Sequence, residues 1–529
     1  MKRKTGQQKD GWNEKQEKKA ATALRKSLVR APLVPAFPVI ALLQAGQSVL
    51  KRCYSVPKSR VPFEEWQRHA DDLTLHPKEN HFLAKQAFHR PPAPFRVWGE
   101  DARAYCVPPQ YGLDQFGAAD QDVRPHGTDI DVAFEGKLWE AKDHFDQSAV
   151  MAVADAHFKS QRRGGVFELP TSSGKTILMM YIITKLLRKK ALIVSPMLPV
   201  HNQLGRRLQQ FLPTARIGTI HQSQFDVQDK DIVIAMLHSL ALRDFPEDAF
   251  DDFGVVIFDE VDRIATKVFS RVLYRLAHVR YIIGLSATVE RADGMEVLFP
   301  LFLGPFIFRA PIATKDSQQT LIQCLVYNEG DQKVITRKAK RPPHDATVDS
   351  PAMLAVLAKD EQRHAALLHV LDVLYAQHRH VAVLVHSVEY GKRLTNESQA
   401  RHPQLKMVYY TRTLKPQQRE VIDTEPHHLI VATYNIFSVG VDVGYLDTLL
   451  MATPRRNITQ AVGRLRSFSR FVRQPSLILD VVDNFSFFRS QHTARRGIYR
   501  KRKYQFLPEL PLVDRAVCSM HLGSSGRAQ

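Results

Sequence analysis

The chain contains little cysteine. Its four cysteines, Cys53, Cys106, Cys324 and Cys518, are scattered along 529 residues, and no two form a Cys-x-x-Cys pair. Disulfide frameworks and structural zinc sites both depend on clustered cysteines. The sequence therefore argues against both, and we expect the protein in a reducing, intracellular compartment, either the nucleus or the cytoplasm.

Long hydrophobic runs are also missing. The apolar stretch at residues 31–43 is short and is interrupted by three prolines. A membrane-spanning helix needs about 20 consecutive apolar residues. No run reaches that length, so we expect a soluble protein that does not enter a membrane.

Acidic residues are outnumbered by basic ones. Lysine and arginine total 74 against 54 aspartates and glutamates, which gives a net charge of +20. Such an excess favours a polyanionic partner, most simply nucleic acid. Solubility alone, or attraction to an anionic membrane surface, would also account for it. A chain of this length is too long for a single core, so we expect several domains.

The first part of the chain carries no recognisable chemistry. Residues 1–30 are basic and poor in apolar side chains, and we predict a flexible arm there. Residues 31–138 are punctuated by prolines and aromatics and are predicted to form a separate accessory region. Recognition of nucleic acid or a partner, and bracing of the next domain, are equally good roles for it.

A phosphate-binding loop follows at residues 170–176. A buried strand at 165–169 leads into the loop, and Gly174, Lys175 and Thr176 open an apolar helix. Backbone amides at a helix start favour an anion, Lys175 would reach the β and γ phosphates, and the Thr176 hydroxyl would ligate Mg²⁺. We assign nucleotide contacts to Pro170, Thr171, Ser172, Ser173, Gly174, Lys175 and Thr176. The alternative is an ordinary helix cap, since Leu169 replaces the usual first glycine.

Residues 139–325 alternate short β-branched runs with helical patterns. The runs include residues 191–196, 231–235, 255–258 and 281–285. Short apolar runs without alternation are typical of a parallel sheet that is covered on both faces. We predict a doubly wound α/β domain whose ligands lie at the carboxyl ends of its strands.

Two strand ends in this domain carry polar residues suited to nucleotide chemistry. Asp259 and Glu260 follow the run at 255–258, where Asp259 would hold Mg²⁺ and Glu260 would orient and deprotonate a water. Acidic residues at a helix start are the structural alternative. Ser286 and Thr288 follow the run at 281–285. Their small hydroxyl side chains are suited to relaying conformational strain.

In order and spacing these elements resemble superfamily 2 helicases and translocases of the DEAD/DEAH-like type. Motif I (the Walker A P-loop) corresponds to 170–176, motif Ia to 191–196 with Gln203, motif II to 259–262, and motif III to 286–288. Gln147 stands where these families place a glutamine that reads adenine. The continuation at 291–294 is similar to XPB-like, phage repair and large-DNA-virus helicases.

The resemblance implies a second RecA-like domain at residues 349–490, after a linker at 326–348. The run at 381–387 resembles motif IV, 429–442 resembles motif V, and 460–466 resembles motif VI. Nucleotide contacts would come from Gly440 and Asp442, and catalytic contacts from Gln460 and Arg464. Arg464 would act as an arginine finger on the γ phosphate. Contacts to nucleic acid, or coupling to it, are implied for Pro196, Ser286, Thr288, Ser387 and Thr433.

The chain departs from the family pattern at three positions. Ser467 stands where motif VI usually has its second arginine, and Arg466 lies one residue short of that position. Val439 replaces an acid in motif V, and Ser172 replaces a glycine in motif I. Every residue that is essential for hydrolysis is nevertheless present, so we expect an active enzyme.

Residues 491–529 are predicted to be a basic C-terminal extension. Basic residues there are interleaved with Tyr499 and Tyr504, which suits phosphate contact together with base stacking. The alternative is a solvated basic helix that packs its tyrosines on the second domain.

The fold class that follows is α/β, with two tandem RecA-like parallel-sheet domains and an N-terminal accessory region. The resemblance implies an ATP- and Mg²⁺-dependent helicase or translocase. The motor part of a restriction-type nuclease is the last-ranked alternative, because the sequence shows no metal-nuclease cluster outside the motor domains. ATP would bind between the two domains, and DNA is favoured over RNA, with a role in transcription or repair. We expect a monomer, and a viral factory or virion as the location if the viral likeness holds. An ATP-switched binding subunit without unwinding activity is the alternative.

Overall fold

The computed structural model describes residues 46–78, 93–140, 145–160, 163–170, 173–266, 268–291, 293–310, 320–328, 350–411, 414, 416–440, 443–465, 475–484 and 488–513. The chain divides into two compact units. The first unit comprises the described residues within 1–84, 90–169 and 174–310, and the second unit comprises those within 85–89, 170–173 and 311–529. The predicted basic arm at 1–30 lies outside the described residues.

The accessory region forms a small five-stranded sheet within the first unit. Its strands follow the order β5-β6-β2-β1-β7. Their bounds are β1 Val49–Leu50, β2 Tyr54–Pro57, β5 Gly99–Glu100, β6 Ala104–Val107 and β7 Gln121–Asp122, with β3 Thr74–Leu75 and β4 Phe95–Arg96 as a separate pair and helices α1 Phe63–Asp72 and α2 Pro109–Phe116.

The accessory sheet shares its core with the sheet that follows. Trp66 stacks on Tyr105 with ring centroids 3.6 Å apart, and both belong to one apolar cluster with Phe258 and Phe299. A shared core removes more apolar surface from water than two separate small cores would. The described part of the accessory region is therefore a brace on the first parallel sheet, as one of the two sequence interpretations proposed.

The first large sheet has eight strands in the order β11-β10-β12-β9-β13-β14-β8-β15, and every pairing except that of β11 is parallel. The strands are β8 Gly164–Glu168, β9 Ala191–Ser195, β10 Ile217–His221, β11 Gln224–Asp226, β12 Ile232–Met236, β13 Val255–Asp259, β14 Tyr281–Ser286 and β15 Phe306–Arg309. The helices are α3 Gln147–Lys159, α4 Lys175–Tyr181 (continued by a π-helix at Ile182–Leu187), α5 Leu198–Phe211, α6 Leu237–Leu242, α7 Ser270–Leu276 and α8 Leu298–Phe302. The predicted doubly wound α/β domain is confirmed.

The second large sheet is parallel throughout, in the order β18-β19-β17-β20-β21-β16-β22, with β23 also pairing with β16. Its strands are β16 Leu321–Tyr327, β17 Val381–Val385, β18 Met407–Tyr410, β19 Leu429–Thr433, β20 Thr448–Met451, β21 Leu477–Asp483, β22 Gln505–Phe506 and β23 Leu510–Pro511. Its helices are α9 Ser350–Leu357, α10 Glu361–Ala376, α11 Val388–Arg401, α12 Pro416–Thr424, α13 Tyr434–Gly440, α14 Thr459–Val462 and α15 Phe488–Lys501.

The predicted domain boundary at residue 325 is wrong. Strand β16, at Leu321–Tyr327, pairs in parallel with β21 along its whole length and therefore belongs to the second sheet. The first unit ends at Ala310. Of the predicted linker at 326–348, only residues 326–328 are described, and residues 326 and 327 are the last two residues of β16.

The predicted C-terminal extension is, over residues 491–513, part of the second unit. Helix α15 packs against β21, and β22 and β23 pair with β16. Tyr499 is fully buried and Tyr504 is 9% exposed, so neither ring is presented for base stacking. The base-stacking interpretation is wrong for these two tyrosines, because they fill the core instead. Within the described ranges, every helix is too short or too polar to cross a bilayer.

Candidate nucleotide-binding site

The phosphate loop connects β8 to α4 at the carboxyl edge of the first sheet. Gly174 adopts a left-handed backbone conformation with φ +74°, directly before Lys175 begins the helix. A Cβ atom on Gly174 would lie 2.2 Å from Nε2 of Gln147, so only glycine fits. The Ser173 amide donates to the carbonyl of Pro170 at 3.3 Å. Thr171 and Ser172 lie outside the described residues.

Gln147 lies next to Gly174 of the phosphate loop. It is fully buried at the start of α3, and its Oε1 accepts a hydrogen bond from the Trp139 amide at 2.9 Å. The Gln147 amide in turn donates to the Trp139 carbonyl at 2.9 Å. The side-chain amide therefore lies between the backbone at Trp139 and Gly174. Trp139 was missed by the sequence analysis, since nothing marks a backbone partner in the sequence.

Lys175, the first residue of α4, forms an ion pair with Glu260, which directly follows β13. Nζ of Lys175 lies 3.1 Å from Oε1 of Glu260, and both side chains are mostly buried. Glu260 has φ +51° and ψ 58°, a left-handed conformation that costs a non-glycine residue about 1–2 kcal/mol. Strain of this kind is typical of functional sites. It turns the Glu260 carboxylate towards the phosphate-loop lysine.

Two half-buried aspartates flank Glu260. Burial, reinforced by the Glu260 charge, raises the pKa of Asp259 to about 6, although Lys175 opposes the shift. Burial and the same glutamate raise the pKa of Asp262 to about 6, against a hydrogen bond from Ser286. Negative charge is therefore concentrated at the end of β13 beyond what Lys175 neutralises.

This donor set fits Mg²⁺. Asp259 supplies a half-buried carboxylate with excess negative charge around it, and Thr176 supplies a hydroxyl in the first turn of α4. Magnesium in nucleotide sites is usually held by one or two protein oxygens, with phosphates and waters completing its octahedron. Accordingly, the described residues contain no cluster of three or more His, Cys, Asp or Glu that could hold a metal by themselves.

Motifs II and III contact each other directly. Oγ of Ser286 donates to Oδ1 of Asp262 at 2.9 Å and accepts from the Thr288 amide at 3.2 Å. Arg291 donates to the backbone carbonyl of Asp262 and also pairs with Asp293 through a contact at 2.6 Å. Asp262 and Arg291 were not among the predicted site residues. Their signal was present, because both lie in segments that carry the family resemblance.

The remaining predicted residues of the first unit lie at the same edge. Pro196 is buried directly after β9, and Thr288 is half-buried after β14. Strands β9, β13, β14 and β8 are neighbours in the sheet and run parallel, so their carboxyl ends meet. The structure thus gathers Lys175, Asp259, Glu260 and Ser286 as the sequence predicted.

The predicted residues of the second unit lie at strand ends of the second sheet or just beyond them. Ser387 follows β17 and caps α11, its Oγ accepting the Tyr390 amide at 3.0 Å. Thr433 ends β19, and Gly440 ends α13. Asp442 lies outside the described residues, as do Arg466 and Ser467.

Gln460 lies on α14, and Arg464 lies two residues beyond the end of this helix. The segment that leads up to them is anchored by hydrogen bonds within the second unit. Both side chains are half-buried, and the Arg464 amide donates to the carbonyl of Ala461 at 3.1 Å. Four backbone carbonyls between 452 and 459 accept hydrogen bonds from distant side chains. The pairs are Arg363 to Ala452 at 2.8 Å, Tyr434 to Thr453 at 2.6 Å, Arg495 to Arg455 at 2.9 Å and Arg502 to Thr459 at 3.2 Å.

Two of these anchors are also members of buried ion pairs. Arg363 pairs with Asp483 at 2.7 Å, and Arg495 pairs with Asp480 at 2.8 Å, all four side chains being almost inaccessible to solvent. Tyr499 adds a third contact, donating to Oδ2 of Asp480 at 3.0 Å. The sequence analysis missed this network. Its signal was the presence of two aspartates in the apolar strand β21.

Comparison with known proteins points to nucleic-acid motors. Residues 142–291 match the family model described as "Type III restriction enzyme, res subunit". The chain is 23% identical to "Putative ATP-dependent RNA helicase L396" of Acanthamoeba polyphaga mimivirus, covering 85% of this chain and 84% of that protein. It is 24% identical to the African swine fever virus protein QP509L, which carries the same description, covering 64% of this chain and 68% of that protein. It is 26% identical to "DNA 3'-5' translocase XPB2" of Sulfurisphaera tokodaii, covering 42% of this chain and 48% of that protein.

Proposed function

We propose that this chain is a superfamily 2 helicase of the XPB-like and viral kind, and that it uses ATP hydrolysis to translocate along DNA or to unwind it. The observation that carries the proposal is the ion pair between Lys175 and Glu260 beside the half-buried Asp259. It joins a phosphate-binding cation, a general base and a metal-binding carboxylate at one sheet edge.

The site residues of the first unit have separate roles in nucleotide binding and hydrolysis. Lys175 and the amides that open α4 bind the β and γ phosphates of ATP. Glu260 orients the attacking water and accepts its proton, a function typically worth about 10²–10⁴-fold in rate. Gln147 holds the loop in shape through Gly174 and also stands where related proteins read adenine.

Magnesium would be held by Asp259 and Thr176. When bound, the ion supplies neutralisation of the negative charge on the phosphates. The raised pKa of Asp259 supports this role, because a cation placed there relieves the repulsion from Glu260.

The second unit contributes Arg464 as the arginine finger, with Gln460 beside it, when ATP is bound. The four anchored carbonyls between 452 and 459 support this role, since a finger must be positioned accurately to be effective. Gly440 and Asp442 are proposed as further nucleotide contacts of this unit.

Coupling to nucleic acid is assigned to the residues beyond the strand ends. Ser286 and Thr288 link the end of β14 to Asp262, so a shift at the nucleotide is passed to motif III. Pro196, Ser387 and Thr433 are proposed to contact the strand or the coupling path. The net charge of +20 supports binding that is dominated by phosphates and is therefore sensitive to salt.

DNA is the proposed track, with a role in transcription or repair. The names of the relatives point both ways, to an RNA helicase and to a DNA translocase. The XPB-like arrangement of the motifs favours DNA. Steady-state ATPase rates with no polymer, single-stranded DNA, duplex DNA and RNA test this assignment. We expect the largest stimulation by a DNA substrate, and stimulation by RNA alone would overturn the choice of DNA.

The second candidate is an ATP-switched nucleic-acid-binding subunit without unwinding activity. It is favoured by Ser467, which occupies the usual position of the second motif VI arginine. The same measurement separates the two functions. Slow ATP turnover that no polymer stimulates, with ATP binding that depends on Lys175, would favour the switch over the motor.

A further inference from the structure

Three arginines meet at the edge of the first sheet that lies opposite the nucleotide site. Arg163 directly precedes β8, and Arg280 directly precedes β14. These strands pair in parallel, with Gly164 opposite Ile282, so the two arginines stand side by side at the amino ends. Arg124, which follows the accessory strand β7, is the third.

The carboxylate of Asp122 contacts two of these three arginines. Asp122 binds Arg124 through two contacts of 2.9 Å and also pairs with Arg163. Burial opposes ionisation of Asp122, but hydrogen bonds and charges from Arg124 and Arg163 lower its pKa far below the ordinary value. Asp122 is therefore fully engaged by two of the three arginines.

Arg280 has the weakest set of partners. Its guanidinium contacts only neutral groups, the carbonyl of Arg124 and a ring nitrogen of His126, both at 3.5 Å. Its buried Nε has no hydrogen-bond partner among the described residues, and none of their carboxylates forms an ion pair with it. Burial first, and then repulsion by Arg163 and Arg124, lower its pKa, although Asp122 opposes the shift. Arg280 is half-buried, so the repulsion from the two neighbouring arginines is only partly screened by solvent.

The cluster opens into a cavity of about 620 Å³ between the accessory region and the first sheet. All three arginines and Asp122 line it, and Leu113 and Phe302 are among its apolar walls. Asp114 lines it as well and accepts a hydrogen bond from Gln110 at 2.8 Å. The volume lies within the range typical of small-ligand pockets, about 300–1,000 Å³.

We infer that this cavity binds a phosphomonoester on a nucleotide, with the phosphate among Arg124, Arg163 and Arg280 and the base against the apolar walls. The three guanidiniums are opposed by Asp122 and Asp114, which leaves one positive charge in excess among the lining residues. A phosphomonoester presents three strong acceptor oxygens, and planar guanidiniums suit such oxygens.

The ligand has two sources with the same chemistry, a free nucleoside monophosphate and the phosphorylated end of a nucleic-acid strand. Binding to the full chain is measured without ATP, so the result is independent of ATP hydrolysis. The probes are cytidine monophosphate against cytidine, and one single-stranded oligonucleotide with a 5′-phosphate, a 3′-phosphate or only hydroxyl ends. We expect at least one phosphorylated probe to bind about tenfold tighter than its unphosphorylated twin. Which probe it is identifies the source.

Arg280→Gln provides the decisive variant. It should abolish the preference for the phosphorylated probe, while the melting temperature in phosphate-free buffer stays equal or rises, because repulsion within the cluster is relieved. Arg163→Gln should reduce the preference in the same way. Arg103→Gln, which removes an exposed arginine from the turn before β6, is the matched control and should leave the preference intact.

Two results would overturn the inference. One is equal binding of every phosphorylated probe and its unphosphorylated twin by the wild-type chain. The other is a preference that survives both Arg280→Gln and Arg163→Gln, since the phosphate would then be bound elsewhere on the basic surface.

Discussion

Ser286 donates a hydrogen bond from its Oγ to Oδ1 of Asp262 at 2.9 Å, and this contact joins the ends of two neighbouring parallel strands. One strand delivers the carboxylates of the nucleotide site, and the other leads into the segment assigned to coupling. The contact therefore links the carboxylates of the site directly to motif III.

Replacing Ser286 by alanine should uncouple the motor. A hydrogen bond to a charged group contributes about 1.5–3 kcal/mol, and Asp262 loses one. ATP affinity and the basal ATPase rate should stay within about threefold of wild type, while stimulation by nucleic acid falls about tenfold or more. Ser239→Ala removes a buried serine that accepts only the Gln222 amide, and it serves as the control. Full stimulation in Ser286→Ala would contradict the coupling role.

Replacing Gly174 by alanine should damage the phosphate loop. The new Cβ would collide with Nε2 of Gln147, and the left-handed conformation itself costs alanine about 1–2 kcal/mol. We expect ATP affinity to fall at least tenfold in equilibrium binding. Gly205→Ala is the matched control, because its Cβ would meet its nearest atom at 3.7 Å inside α5. The control should be stabilised by about 0.5–1 kcal/mol in urea unfolding, with ATP affinity unchanged.

Removing Arg495 should disturb the segment that carries Arg464. Arg495→Met leaves Asp480 buried without its cation and should destabilise the second unit by about 3–5 kcal/mol in chemical unfolding. The double variant Arg495→Met with Asp480→Leu should recover most of that stability. It still lacks the hydrogen bond to the Arg455 carbonyl, so we expect its kcat for ATP to remain reduced. Wild-type kcat in the stable double variant would show that this anchor does not position Arg464.

The first unit should lose stability in acid through His278. Burial, with repulsion from Arg52, lowers the pKa of His278 to about 4, well below its ordinary 6.5, although a carboxylate oxygen of Asp251 lies 3.2 Å from its Nε2. A depressed histidine pKa means that the folded state binds its proton less tightly than the unfolded state does. Its contribution to stability is therefore complete above pH 6.5 and is lost as the pH falls towards 4, by up to about 3 kcal/mol. Urea unfolding of wild type and His278→Gln between pH 7.5 and 4.5 checks this, and parallel curves would contradict it.

The first sheet could be predicted from sequence because its signals are local. Unbroken apolar runs such as 255–258 identify strands that are buried on both faces, and Asp259 and Glu260 follow directly. Parallel strands then bring their carboxyl ends together, which is why Lys175 and Glu260 meet although 85 residues separate them.

The features that could not be predicted depend on distant partners. Strand β16 looks like any apolar run, and only its pairing with β21 assigns it to the second unit. The anchoring of the 452–459 segment depends on side chains from four other places in the chain. Likewise, Tyr499 stands in a basic stretch that suggests an exposed surface, yet its ring and hydroxyl are fixed by the core and by Asp480.

The central claim is that Glu260 performs the hydrolytic step on a nucleotide held by Lys175. Glu260→Gln keeps the size and hydrogen-bonding capacity of the side chain but removes its basicity, and Lys175→Ala removes the phosphate contact. ATP binding and ATP turnover in the presence of DNA should be measured side by side for both variants. We predict that Glu260→Gln binds ATP with wild-type affinity but turns over at least 10²-fold more slowly, whereas Lys175→Ala loses binding. Wild-type-like turnover in either variant would contradict the account.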